Sequence, residues 1–278
     1  MLKSIRKDFV RLIIPVLIMR GINLIISTLI KGDSFVGSLW GNIRSILWGN
    51  GNDYGPLPFS TPLQMYGVGV LWFLIALFWA RCLYRLFDYK IKKNRFIILL
   101  FLSFFGMWIG SILWLPHCID MMPLLLLFME CGKYLKTNVE IESTNWKKAG
   151  IIAFFLWIYL AGDKGIYIEM ATRQYPYSML CVLVAIMGCV AVIQFSQGLE
   201  TISFSKVISF LGRNSLDILC IHHIDGYMSF IWKINIFVEG SALFFVNEVL
   251  TSITRVVLDV ILLIVWLVIK RNIAKIVK

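Results

Sequence analysis

Residues 176–197 read PYSMLCVLVAIMGCVAVIQFSQ, with no charged residue from Pro176 to Gln197. About 20 mostly apolar residues are what a helix needs to cross the hydrocarbon layer of a bilayer, so this stretch predicts a membrane span. Working outward, similar runs recur near 11–30, 67–87, 96–115, 119–135, 149–162, 207–230 and 247–269, which gives about eight spans. The whole chain agrees: 59% of its 278 residues are hydrophobic and only 15% charged, with a mean hydropathy of +0.80. Soluble domains carry about 25% charged residues, so a soluble enzyme, a disordered regulator and a secreted disulfide scaffold are excluded. The expected fold is all-α, a polytopic transmembrane helical bundle.

The net charge of +11 does not point to nucleic acid, because the basic residues cluster between apolar runs. Lys3, Arg6, Lys7 and Arg11 open the chain, and Arg81, Arg85, Lys90, Lys92, Lys93 and Arg95 fall around the second gap. Lys133, Lys136, Lys147 and Lys148 follow the fourth run, Lys206 the sixth, and Lys270, Arg271, Lys275 and Lys278 close the chain. The opposite side holds only Lys31, Arg44, Lys164, Arg173 and Lys233. By the positive-inside rule both termini are cytoplasmic. Pro15 and Arg20 interrupt the first run and no small-residue cleavage site follows, so it does not read as a signal peptide. No repeat, low-complexity tract or linker divides residues 1–278, which predicts one domain with a long external loop at 31–66. The six cysteines show no CxxC or metal spacing and read as small unpaired thiols.

Ionisable residues inside spans mark a functional interior or tie helices together. Arg20, Asn23 and Ser27 share one face of the first span. Glu248, Ser252, Arg255 and Asp259 stripe the last span, where Arg255 and Asp259 stand one turn apart and read as a helix-packing pair. The segment FLGRNSLDILCIHHIDGYM (210–228) is the most informative. It is expected to be a helix, with Ser215, His222 and Asp225 on one face. At about 1.5 Å per residue, Arg213 and Asn214 lie in the inner third and His222 about 24 Å from Lys206, in the outer third. Ser215 and His222 are about 10 Å apart along the axis, so they cannot form a hydrolytic pair within this helix. His222 with Asp225 is the better acid–base arrangement, a carboxylate one turn from an imidazole. Adjacent histidines point about 100° apart, so His222 rather than His223 is expected to face the site. His117, beside Pro116 at the external mouth, reads as a cap or surface group. The histidines do not compose a metal site, and none is expected.

Four of these stretches together resemble the membrane-bound acyltransferase 3 family, and within it the branch described as fucose 4-O-acetylase and related acetyltransferases. GVGVLWFLIALFWARCLY (67–84) resembles its WFL-x-x-L helix, and FLGRNSLDILCIHHID (210–225) its GxNSL…H helix, with Gly212, Asn214, Ser215, Leu216 and His222 on the pattern. WLPHCIDMMPLLLLFMECGKYLK (114–136) carries the matching Pro116, Asp120, Gly132 and Lys136. IRKDFVRLIIP (5–15) resembles the basic start of the family's third helix through Arg6, Arg11 and Pro15.

The resemblance implies ten spans, the first bearing the family's catalytic His. Eight spans here equal ten less the first pair, so that His has no counterpart, and the chain is expected to be a fragment or to have lost that pair.

What the resemblance implies is O-acyl transfer, most often acetyl, from cytoplasmic acetyl-CoA to a hydroxyl of a cell-surface glycan or its lipid-linked precursor. It places the protein as a multi-pass enzyme of the bacterial cytoplasmic membrane with no bound cofactor; acyl-CoA is a substrate. Ser215, His222 and Asp225 are the catalytic candidates. Arg6, Arg11, Arg213, Asn214, Trp72 and Asp120 are the substrate-binding candidates, the arginines for the donor's phosphates. Arg6 and Arg11 read equally well as positive-inside anchors. The alternatives are a glycan or lipid transporter or flippase, for which internal repeats and broken helices are expected, and a non-catalytic truncated membrane homologue.

Overall fold

In hydrocarbon every backbone N–H must find its partner within its own segment, so apolar runs of this kind become helices. The computed structural model describes residues 2–52, 67–140, 143–200, 205–227 and 243–276, the backbone alone in 225–227, 243–251 and 269–276. It is 83% helical with no strand among the described residues. Helix α1 runs from Leu2 to Ile30, with wide π turns at Phe9–Ile13 and Ile26–Ile30. The first π turn immediately precedes Pro15, whose missing N–H cannot continue the regular ladder. Then follow α2 (Phe35–Trp48), α3 (Trp72–Lys90), α4 (Arg95–Ile112), α5 (Met122–Asn138) and α6 (Thr144–Ile158). Helices α7 (Met179–Leu199), α8 (Ser205–Arg213), α9 (Ser215–Tyr227) and α10 (Leu243–Ile276) complete the described chain.

Among the described residues four helices are long and apolar enough to cross a membrane: Leu2–Ile30, Gly69–Lys90, Arg95–Ile112 and Met179–Leu199. The expected spans at 119–135 and 149–162 fall on the shorter α5 and α6, and 247–269 falls within α10. Two local features depart from expectation. The stretch 31–66 is not all loop, because Ser34 accepts a hydrogen bond from the Gly37 amide at 3.1 Å and starts α2; residues 53–66 lie outside the described residues. The segment 207–230 is not one helix. It breaks at Asn214, whose side chain donates to the Phe210 carbonyl at 2.8 Å and competes with the backbone ladder.

The chain forms two compact units. One comprises Met1–Ile14 and Trp40–Ser205, the other Pro15–Leu39 and Lys206–Lys278. In the first, α3 and α4 pack on α5, and α6 packs on α7. Its core joins Ala76, Ala80, Leu99, Met107, Met121, Leu124 and Leu127. Small residues let these helices approach: a Cβ at Gly106 would stand 2.4 Å from the Asp120 carbonyl oxygen, and one at Gly188 2.9 Å from Trp157. In the second unit α9 packs on α10. Large apolar side chains such as Phe101, Phe155 and Phe195 remain exposed, as helices bathed by lipid tails require.

Candidate functional site

In the second unit, α9 carries the histidines and serine singled out above. His222 is the exposed member of the pair, with its side chain 52% accessible and Nδ1 3.6 Å from Asp259 Oδ2 on α10. His223 is the buried one, at 5%, within electrostatic reach of Arg20 on α1. The helix phase therefore turns His223, not His222, into the packed interior of its unit and leaves His222 exposed. The carboxylate that meets His222 among the described side chains is Asp259. Asp225 was expected in that role; its backbone belongs to α9 and its side chain lies outside the described residues. Asp259 thus faces an imidazole from another helix.

Ser215 is exposed at the first residue of α9, two turns from His222. Arg213 is exposed and donates through Nε to the Ser209 carbonyl at 3.1 Å. Asn214 shapes the break between α8 and α9. Arg20 and Asn23 are both 6% exposed, so the polar stripe of the first span is turned inward. Trp266 Nε1 donates to Asp217 Oδ1 at 2.8 Å. Beside that bond lies a cavity of about 210 Å³ lined by Met19, Ile22, Cys220, Ile221 and Leu262.

The substrate-binding candidates of the first unit divide by exposure. Arg6 and Arg11 are exposed on α1. Trp72 packs its ring against Gly51, where a Cβ would approach to 2.8 Å, and joins the core. Asp120 was expected to contact substrate, but it is 3% exposed. Its Oδ1 accepts from the Leu115 amide at 3.1 Å and its Oδ2 from Arg173 Nε at 3.0 Å. Arg173 also donates through Nη2 to Asn50 at 2.8 Å and stacks 4.5 Å over the Trp114 ring. Against the burial that opposes its charge, the Asp120 carboxylate holds the Arg173 guanidinium ionised and raises its pKa further. Asp120 is an internal tie, joining the turn before α5 to the loop before α7.

Next to it, His117 and Cys118 both adopt left-handed backbone, at φ 55° and 57°, a conformation costly for non-glycine residues. Trp79 Nε1 donates to His117 Nδ1 at 3.2 Å, so the imidazole is neutral with its proton on the other nitrogen, and the Leu47 backbone supplies a further hydrogen bond. Burial pushes the His117 pKa down. It also lifts the Cys118 thiol to about 11, so that this cysteine stays protonated. His117 is consequently held at both ends, in keeping with a structural cap.

Sequence reading missed Arg173, Asn50 and the partners of Asp8. For Arg173 and Asp8 the signal was a charge out of place, an Arg in a loop between apolar runs and an Asp among N-terminal Lys and Arg; Asn50 carried none.

The chain matches the model of the acyltransferase 3 domain, an acyltransferase domain, over residues 1–270. No curated protein and no solved structure matches it. With apolar helices long enough to cross a membrane and a family match over nearly its whole length, the chain belongs to the acyltransferase 3 family and is a multi-pass membrane acyltransferase.

Proposed function

We propose that this acyltransferase moves an acetyl group from cytoplasmic acetyl-CoA to a hydroxyl of a cell-surface glycan or its lipid-linked precursor, in the cytoplasmic membrane of a bacterium. The observation that carries the reading is His222, accessible on α9 with the Asp259 carboxylate 3.6 Å from its Nδ1. With Nδ1 on the side of a carboxylate, Nε2 is the nitrogen that accepts the proton of an acceptor hydroxyl. The alkoxide oxygen then bonds to the thioester carbonyl carbon, the carbon–sulfur bond breaks, and the departing CoA thiolate takes up a proton. Asp259 orients the ring and faces the positive charge it acquires. Ser215 and Asn214 supply polar lining, and Asp225 lies on the same helix. Arg6 and Arg11 in the first unit, and separately Arg213 in the second, are exposed cations of the kind that suits a phosphate.

The test is CoA thiol release from acetyl-CoA in proteoliposomes, with bacterial surface glycans as acceptors. His222→Asn is expected to lower the rate about 100-fold or more, while Arg11→Gln raises KM for acetyl-CoA. A His222→Asn variant that transfers acetyl groups at the wild-type rate would remove His222 from the reaction.

A further inference from the structure

Among its described residues the first unit contains four sets of paired charges, one of them the exposed one-to-one pair of Lys164 and Asp163, and only one set does not balance. Asp120 and Arg173 form a one-to-one pair. Arg95 and Lys133 meet Asp88 and Glu130, two cations against two anions. At Asp8, however, two guanidinium groups converge on one carboxylate. Arg81 Nε lies 3.1 Å from Asp8 Oδ2, and Arg85 Nη2 bonds the same oxygen. Asp8 is 5% exposed, and no second acid pairs with either arginine among the described residues. Arg85 Nη1 is buried without a hydrogen-bond partner. Arg95 Nε is also unpartnered, but the charge of its cluster sums to zero.

A surplus guanidinium in a partly desolvated place is costly unless an anion completes it. The fork of an arginine suits the paired oxygens of a phosphate. Arg81 and Arg85 stand at i, i+4 on α3 and so share a face. Arg6, Lys7 and Arg11 on α1 flank Asp8 with further exposed positive charge, at the end that the charge pattern assigns to the cytoplasm.

We infer that Arg81 and Arg85, held in place by Asp8, form a phosphate-binding site. Asp8 is a positioning residue and the two arginines are the ligands. The occupant is a phosphate of the donor nucleotide, and this assignment rests on the acyl-CoA reading given above. The same chemistry would hold a phospholipid headgroup.

Titration of the full chain in a phosphate-free maltoside detergent separates the two sources, with CoA and inorganic phosphate as probes and native mass spectrometry for retained phospholipid. Arg85→Gln and Arg81→Gln are each expected to weaken CoA binding about 10–100-fold, the loss of one charge-assisted bond, and phosphate should compete with CoA. Arg85→Lys keeps the charge without the fork and should fall between wild type and Arg85→Gln, which guards against a variant that merely misfolds. Asp8→Asn removes the carboxylate that positions the arginines and should weaken CoA binding, though by less than Arg85→Gln because both cations remain; an ion pair with only a structural role would lose helicity without changing affinity. Wild-type CoA affinity in Arg85→Gln overturns the site while leaving the donor reading standing. Phospholipid retained by wild type and lost in Arg85→Gln, with no CoA bound, supports the site and overturns the donor reading. Neither ligand bound by wild type overturns both.

Discussion

Asp120 and Asp259 are both carboxylates in an apolar chain, and the two units treat them differently. In the first unit the side chains of Asp120 and Arg173 are 0% and 1% exposed, and the pair shares direct hydrogen bonds. In the second, Asp259 is 17% exposed and faces a His222 that is 52% exposed, across 3.6 Å. The first is what a low-dielectric interior demands: a buried charge must be paired and hydrogen-bonded or it is not tolerated. The second is too long for a hydrogen bond and is the more exposed of the two pairs. An ionisable residue in a membrane protein is therefore not functional merely by being there, and a fully buried, hydrogen-bonded pair such as Asp120 with Arg173 acts as a tie.

The comparison can be broken most directly at Arg173. Removing it by Arg173→Ala leaves Asp120 buried and unpaired, and thermal unfolding in detergent should show a loss of about 3–5 kcal/mol. Asp259→Ala, at the open pair, should stay within about 0.5 kcal/mol, and equal losses at the two sites would end the distinction. Gly106→Ala comes next. Its Cβ would meet the Asp120 carbonyl oxygen at 2.4 Å, forcing a backbone shift that costs about 1–3 kcal/mol. Gly132→Ala, with nothing within 4 Å of its Cβ, should be neutral or stabilise α5 by up to about 1 kcal/mol.

Asp259→Asn sharpens the other side of the comparison. It is expected to slow acetyl transfer about tenfold with no shift in melting temperature, because it alters the orientation and charge facing His222 and not the packing.

The smallest effect concerns pH. Burial places the folded-state pKa of His117 below its unfolded value, near 6.5. The associated stability is complete above about pH 6.5 and declines as pH falls through that value toward the folded pKa. Melting curves at pH 7.5 and 5 should show a decline of under about 1 kcal/mol that is absent in His117→Asn, where no titrating group remains. A rise in stability on acidification would contradict the neutral imidazole bonded to Trp79.

How much of this was legible beforehand follows from the range of the forces involved. The helix at 179–199, the basic N-terminal stretch and the motif around Asn214 and Ser215 are local properties, readable from composition, hydropathy and short spacings. The helix break was hidden, because it depends on one Asn214 side chain choosing the Phe210 carbonyl. The phase of α9 was hidden as well: two adjacent histidines are equivalent in sequence, and packing alone decides that His223 is covered.

By itself, then, the sequence determined a helical membrane protein of a recognisable acyltransferase family, since lipid solvation acts on each segment separately. The tertiary structure alone decided which charges meet. Asp120 finds Arg173 across 53 positions and Asp8 finds Arg85 across 77. No local pattern encodes such pairs, because a charge in a low-dielectric bundle pairs with whatever helix packing brings near it.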